Sequence, residues 1–245
     1  MKTVAIIQAR MGSERLPGKV LKVLGTHSLL GHVIKRVKRI KKLDDLVIAT
    51  TKLTEDKQII KTALKYNVRY FRGSENNVLE RFYQAAYDSS ADVIIRITAD
   101  CPLLDPSISE KVLFPILQKK YDYSCNTQPA TFPDGMDTEA FTFETLKKVY
   151  YSSTEDYQKE HVTPLIYENP KTFNIYNYKS EKDLSKYRFV IDNEDDFHFL
   201  QSIYDILGND FYEINHFELV KLIINNTKLN SIKLSGRRNE KFKNK

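Results

Sequence analysis

Residues 8–21 read QARMGSERLPGKVL and gather Arg10, Arg15, Lys19, Gly12 and Gly18 into one short loop in which Glu14 is the sole acid. Arginine offers a planar fork of donors and lysine a point charge, so three such side chains together suit an anion with several oxygens. Glycine lets the backbone approach a bulky group and aim N–H groups at it. A string of phosphates fits that combination best. A merely solvated surface loop is the plain alternative, and it leaves the pairing of three cations with two glycines and a proline unexplained.

Two familiar phosphate loops do not fit. A Walker A loop needs four residues between its glycines and Ser or Thr after its lysine. Here five residues separate Gly12 from Gly18, and Val20 follows Lys19. The GxGxxG of dinucleotide folds is also absent, which counts against a dinucleotide cofactor.

A loop that grips several phosphates calls for a hard cation nearby, because magnesium bridges phosphate oxygens and takes only one or two protein carboxylates. Asp100 closes the run VIIRITAD and Asp192 closes YRFVID. Residues at strand ends in a parallel sheet face the ligand crevice. Each aspartate equally suits a helix cap, since DPSISEKV and DNEDDF both start like helices. Asp105, with a proline after it, reads as the cap of the next helix, and Asp195 and Asp196 as first-turn charges favoured by the helix dipole. Farther along, FPDGMDTEAF puts Asp134, Asp137 and Glu139 within six residues on a turn that Pro-Asp-Gly favours. Acids there can take hydroxyl groups or a second cation. His161, in EHVTPLI, falls in a helical pattern, where a lone histidine is more often a packed or surface residue than a catalyst.

The elements that must position these groups alternate. Thr3 to Ile7, Leu46 to Thr50, Val68 to Phe71 and Val93 to Thr98 read as buried strands. Leu30, Val33, Ile34, Val37 and Ile40 recur between them at helical spacing, as do Ile59, Ile60, Ala63 and Leu64. Strand, helix, strand, helix implies an α/β fold with a parallel sheet and right-handed crossovers. The loop at 8–21 then starts where the first strand ends, where α/β sheets bind ligands. KRVKRIKK, residues 35–42, resembles a nucleic-acid patch, but its apolar positions belong to the helical stripe and its charges are expected on the solvated face.

After ADCPLLDP the pattern becomes aromatic and alternating across residues 121–178, with helical patterns near 142–150 and 158–168. This segment reads as an inserted lobe for substrate binding or subunit contact. The parallel core is expected to resume with YRFVID, followed by a helix over EDDFHFLQSIYDIL and a last helix near 215–226. No internal repeat and no Gly/Ser-rich or Pro-rich linker cuts the chain, so residues 1–232 form one expected domain with the lobe embedded.

Composition narrows the function classes. With 41% hydrophobic and 29% charged residues among 245, the chain can bury one sizeable core, and wholesale disorder is excluded. Apolar runs of four to six residues are too short to span a membrane, and Gln8 and Arg10 break the first one too early for a signal peptide, so a cytoplasmic protein without membrane contact is expected. Cys101 and Cys125 form no ligand cluster, and neither a disulfide framework nor structural zinc is expected. Of the net charge of +6, the tail KLSGRRNEKFKNK carries six Lys or Arg against one Glu and leaves about +1 for the rest. That basic tail, 233–245, reads as a flexible, solubilising terminus, and no nucleic-acid partner is expected.

IIQARMGSERLPGKVL resembles the N-terminal signature of the cytidylyltransferase family that includes spore coat polysaccharide protein F and, more distantly, the CMP-Kdo and CMP-acylneuraminate synthetases. VIATT, FRGSENNVLERFYQAA, VIIRITADCPLLDP, FPDGMDTEAF, EHVTPLIYENP and RFVIDNEDDFHFL follow in the family's order, to about residue 207. The resemblance implies a Rossmann-like three-layer α/β/α nucleotidyltransferase fold with a mostly parallel sheet and an inserted substrate and dimerisation lobe. It further implies that Gln8, Ala9, Arg10, Gly12, Arg15, Lys19, Arg81 and Asp100 bind the nucleotide, and the place of FRGSENNVLERF after the third strand puts Gly73 and Asn77 at the crevice rim, where they are expected to bind it too. Arg10, Arg15 and Lys19 would act on the triphosphate of CTP, with Mg2+ held by Asp100 and Asp192. For Arg81 the residues alone leave a helix-surface ion pair equally open. Asp137, Glu139 and His161 are expected to bind the acceptor.

The expected reaction is attack of an acceptor oxygen on the α-phosphorus of CTP, with release of pyrophosphate, in surface polysaccharide or glycoconjugate biosynthesis. The acceptor is a sugar acid or another small molecule, a phosphate- or phosphonate-bearing one among the alternatives. A nucleotide-sugar glycosyltransferase of similar fold would normally show DxD at a strand end, and ITADCP has one Asp. A non-catalytic scaffold stays open if the metal pair does not form. A homodimer through 121–178 is expected by the same resemblance.

Overall fold

The computed structural model describes residues 1–232 together with Leu234 and Arg238. The flexible tail expected over 233–245 otherwise lies outside the described residues. The chain opens with β1 (Thr3–Gln8), whose Val4 and Ile6 enter one core while Ala5 and Ile7 enter another. A strand that is apolar on both sides belongs at the centre of a sheet covered on both faces. A single helical turn, Lys19–Leu21, and the hairpin of β2 (Val23–Leu24) and β3 (His27–Ser28) then lead into α1 (Leu29–Val37). Next come β4 (Asp45–Thr51), α2 (Lys57–Lys65), β5 (Arg69–Gly73), α3 (Val78–Asp88), β6 (Val93–Thr98) and α4 (Pro106–Leu117). The four strands expected from their β-branched runs are all present, but β5 is not buried as expected: it forms the edge of the sheet, with Arg69 and Tyr70 exposed.

The main sheet has seven strands in the order β5-β4-β1-β6-β8-β7-β9. The last three come from the excursion: β7 (Tyr123–Cys125), β8 (Glu139–Thr142) and β9 (Ile175–Asn177). The excursion thus extends the central sheet. β8 runs antiparallel to both its neighbours, and the other pairings are parallel. The excursion also supplies α5 (Phe143–Ser152), α6 (Asp156–His161) and α7 (Pro164–Tyr167). The single helix expected near 158–168 is two, because Val162 adopts φ 72° and Pro164 starts the second. α8 (Glu194–Leu207), α9 (His216–Asn225) and α10 (Thr227–Ser231) complete the chain. Among the described residues no helix is long and apolar enough to cross a membrane.

Two expectations need correction. Residues 187–192 do not form a sheet strand, because antiparallel β8 already occupies the free edge of β6. The segment is instead tied to loops: Phe189 N donates to Asp134 O at 2.7 Å and Ile191 N to Asp100 O at 3.0 Å. In KRVKRIKK, Arg36 is buried rather than solvated. Its guanidinium donates to the carbonyls of Ile214, at 3.0 Å, and Phe211, binding α1 to the turn before α9. Burial lowers it to about 10. Lys38, Arg39, Lys41 and Lys42 are exposed as expected.

Candidate active site

The basic loop leaves β1 at the carboxyl end of the sheet and is folded by its own backbone, with Gly18 N donating to Met11 O at 3.0 Å. That amide is therefore spent inside the loop instead of facing a ligand. Asp56, buried behind the loop, accepts from Met11 N at 2.8 Å and pins it to the start of α2. A side chain built at Gly12 would meet nothing nearer than Glu75 Oε1 at 3.9 Å, so the missing Cβ there leaves the cavity open.

The loop's cations find acids far along the chain, which their sequence neighbourhood did not suggest. Lys19 Nζ lies 2.8 Å from Asp100 Oδ2, 3.1 Å from Asp192 Oδ1 and 2.7 Å from the carbonyl of Ile191. Burial works against this ammonium, but the two carboxylates outweigh it and raise its pKa. Burial likewise disfavours charge on Asp100 and Asp192, yet Lys19 holds both below the usual carboxylate range, Arg188 and Arg15 adding to the effect at Asp192. Arg15 Nη2 sits 3.1 Å from Asp192 Oδ2, and Arg10 Nη1 4.0 Å from Glu75 Oε1.

Neither aspartate caps a helix. Asp105 caps α4 through Ser107 N at 2.9 Å, and Asn193 caps α8. Asp196, in the first turn of α8, is buried and accepts from Arg188 and from Asp192 N. Asp196 is thus structural and Asp195 lies exposed in the same first turn, whereas Asp100 and Asp192 stand in the cavity walls, held there by the loop's cations.

Two cavities meet here. The loop-side cavity, of about 330 Å³, is lined by Gln8, Ala9, Arg10, Gly12, Lys19 and Arg81 among others. The excursion-side cavity, of about 310 Å³, is lined by Asp134, Asp137, Glu139, Thr163 and Arg188 among others. They share Arg15, Arg96, Thr98, Asp100, His161 and Asp192. Most of the expected site residues therefore converge. Gly73 and Asn77 are not among those lining either cavity: Asn77 accepts from Glu80 N at 2.9 Å as the cap of α3, and Arg81 packs over Gly73. Arg81 itself is buried rather than paired on the helix surface, donates to Ser74 O, and is lowered to about 10 by burial and by neighbouring Arg10.

Three lining residues, Arg96, Thr163 and Arg188, and the buried Tyr123 behind them were not singled out in the sequence. Arg96, midway along β6, reaches Glu139 with one nitrogen and Gln8 Oε1, at 3.1 Å, with another, so it joins the two cavities. Tyr123 and Thr163 also donate to Glu139, the hydroxyl of Thr163 at 2.7 Å. Arg188 spans Asp134, Asp192 and Asp196. An arginine inside an otherwise apolar strand run was the one available signal for Arg96, since a buried guanidinium demands partners.

Asp137 keeps about a third of its side-chain surface open to the excursion-side cavity while protein surrounds it. Burial pushes it up to about 7, with Arg238 pulling down and Asp134, Glu139 and Asp100 pushing further up. The loop-side cavity thus gathers cations suited to a polyanion, the excursion-side cavity gathers polar groups suited to a small polar molecule, and the two carboxylates that could bind a cation, Asp100 and Asp192, are bridged by Lys19.

A family model described as cytidylyltransferase matches residues 4–228. An uncharacterized protein of Methanocaldococcus jannaschii is 40% identical over 222 residues, 89% of this chain and 90% of its own length. The spore coat polysaccharide biosynthesis protein SpsF of Bacillus subtilis is 33% identical over 228 residues, 90% of this chain and 93% of its own. The solved structure of a cytidylyltransferase from Leptospira borgpetersenii superposes with a TM-score of 0.90 at 33% identity, covering 97% of this chain and all of that one. A phosphate-suited loop, two aspartates joined to it through Lys19, and an adjoining second cavity thus belong to a chain that is a member of the cytidylyltransferase family, a CTP-dependent nucleotidyltransferase.

Proposed function

We propose that this enzyme transfers CMP from CTP to a sugar acid or a similar hydroxyl-rich small molecule, releasing pyrophosphate, as a step in making a surface polysaccharide or glycoconjugate. The observation that carries the reading is the junction of the two cavities at Arg15, Arg96, Thr98, Asp100, His161 and Asp192. A nucleotide on the loop side and an acceptor on the excursion side would meet there. Displacement at phosphorus needs in-line positioning and neutralised charge more than a covalent protein intermediate.

Arg10, Arg15 and Lys19 receive the triphosphate and stabilise charge on the departing pyrophosphate, the type of contact that preorganised cations supply best. Asp137, Glu139 and His161 hold the acceptor, whose hydroxyls suit a wall in which carboxylates outnumber arginines. An anionic acceptor, whether a sugar acid or a phosphate-bearing molecule, wants positive charge in this cavity; Lys119, Lys120, Lys147, Lys148 and Lys159 are not among its lining residues, so Arg15, Arg96 and Arg188 would supply it.

The donor set fits magnesium. A cationic ammonium already sits between Asp100 and Asp192, and two carboxylates are what this ion takes from protein when phosphates supply the rest. Among the described residues no group of three or more His, Cys, Asp or Glu could hold a metal alone. Asp100 and Asp192 would hold Mg2+, which when bound polarises phosphate oxygens. Lys19, which is paired with these two carboxylates, would donate instead to phosphate oxygens once they held a cation.

The test is pyrophosphate release from CTP and MgCl2 across a panel containing 3-deoxy-manno-octulosonate, N-acetylneuraminate, an amino sugar and a phosphorylated polyol. Release that depends on a sugar acid supports the reading. Release with the phosphorylated polyol alone, or with no member, overturns it.

A further inference from the structure

The excursion-side cavity presents three acids, and their cations differ in origin. Glu139 is held by Arg96 and by the hydroxyls of Tyr123 and Thr163. Asp134 is held on one oxygen by Arg188. The other oxygen of Asp134 lies 3.4 Å from Arg238 Nε, and Asp137 Oδ1 lies 3.1 Å from Arg238 Nη2. The same Nη2 donates to the carbonyl of Phe132 at 3.0 Å. One guanidinium therefore binds three successive parts of the turn Phe132–Asp137, and only 16% of its side-chain surface is exposed. Arg238 also lies ten residues beyond position 228, where the match to the family ends.

That turn cannot hold its shape by backbone preference alone. Gly135 adopts φ 97°, and a Cβ there would come within 2.6 Å of the carbonyl carbon of Phe189. The turn is thus pressed against 187–192 on one side, and its carboxylates repel one another on the other. A planar fork facing two carboxylates and a carbonyl is the geometry in which arginine fixes orientation as well as charge.

We propose that Arg238 is a positioning residue for the acceptor: it holds Asp134 and Asp137 from behind the cavity wall, so that acceptor selection depends on a side chain outside the family's shared core. The inference rests on the reading of this cavity as the acceptor site. Asp137 shows what is at stake. Without Arg238 it would face Asp134, Glu139 and Asp100 with less compensation, and its ionised form would be disfavoured further.

The test compares the wild-type chain with Arg238→Gln and Arg238→Lys, using calorimetry with CTP and magnesium and pyrophosphate release on the best acceptor of the panel. Arg238→Gln should raise the acceptor KM about tenfold or more, on the scale of losing a charge-assisted contact, while kcat and CTP affinity stay within about twofold. Arg238→Lys should recover part of the loss by restoring charge without the fork. An unchanged acceptor KM, or an equal loss of CTP affinity, overturns the proposal. Should no acceptor turn over even with the wild type, the functional reading fails separately. Amide exchange across Phe132–Thr138 then decides: faster exchange in Arg238→Gln upholds the hold on the turn, and equal exchange refutes it.

Discussion

Lys19 Nζ rests 2.8 Å from Asp100 Oδ2, and the same nitrogen lies 3.1 Å from Asp192. The ammonium and a divalent ion would compete for these oxygens, which couples metal entry to release of the lysine. Lys19→Ala or Asp100→Ala should lower turnover about 100-fold or more, the scale of losing one preorganised electrostatic contact. Lys19→Met should in addition tighten binding of Mn2+ in the absence of CTP, as read by calorimetry. Wild-type rates in either alanine variant would sink the assignment.

Arg96→Met should expose the dependence of Glu139 on its guanidinium partner. Both side chains are mostly buried, at 15% and 11% exposure, so removing one partner leaves a charge uncompensated. The expected loss is about 3–5 kcal/mol in urea unfolding, the range for breaking a buried ion pair. Adding Glu139→Gln to Arg96→Met should return a large part of it, and strict additivity in the double-mutant cycle would show that the two do not interact.

Acid should destabilise the fold in two steps. His32 is buried; its Nε2–H donates to Leu24 O at 2.7 Å, so Nδ1 of the neutral ring accepts from the Tyr212 hydroxyl at 2.8 Å, and burial lowers its pKa to about 4. The unfolded chain takes up a proton near pH 6.5 that the folded chain refuses, so the contribution of His32 is complete above that pH. It fades as pH falls toward 4, by about 3 kcal/mol in all. Burial also works against ionised Asp105, but hydrogen bonds from His216 and Ser107 outweigh it and hold its pKa at about 2. Its contribution is present above the ordinary carboxylate pKa and disappears as pH drops through about 2. Chemical denaturation at pH 7.5, 5, 3.5 and 2 should show falling stability, with a flatter first step in His32→Gln and a flatter last step in Asp105→Asn.

Gly135→Ala should cost about 1–3 kcal/mol, because the residue must hold a left-handed backbone and its new methyl must displace the backbone of Phe189. Thermal unfolding reads the loss. An unchanged melting temperature would mean that the turn has room to move.

The homodimer expected through residues 121–178 predicts sedimentation at twice 28.6 kDa. A single species at the monomer mass at micromolar concentration would rule it out.

The strands were legible because parallel, doubly covered strands are written as short β-branched runs, as in Thr3–Gln8 and Val93–Thr98. Lys19, Asp100 and Asp192 were legible as chemistry, but their mutual contacts were not, since 81 and 173 positions separate the lysine from its partners. Asp192 reached the site by a different route from the one its run suggested, carried by an extended segment outside the sheet. Arg36 looked like surface because its neighbours are charged, yet carbonyls some 175 residues away needed a donor. Long-range partners of this kind leave no periodic mark.

Antiparallel β8 begins at Glu139, opposite Arg96 in the second half of β6, so the turn that precedes β8 lies toward the end of the sheet where the parallel strands finish. If that turn selects the acceptor as proposed, reversing one strand in this way lets it be rewritten by evolution or graft while the basic loop at 8–21 keeps its own scaffold. A chimaera that exchanged residues 126–138 should inherit the donor's taste in small molecules and keep the recipient's nucleotide.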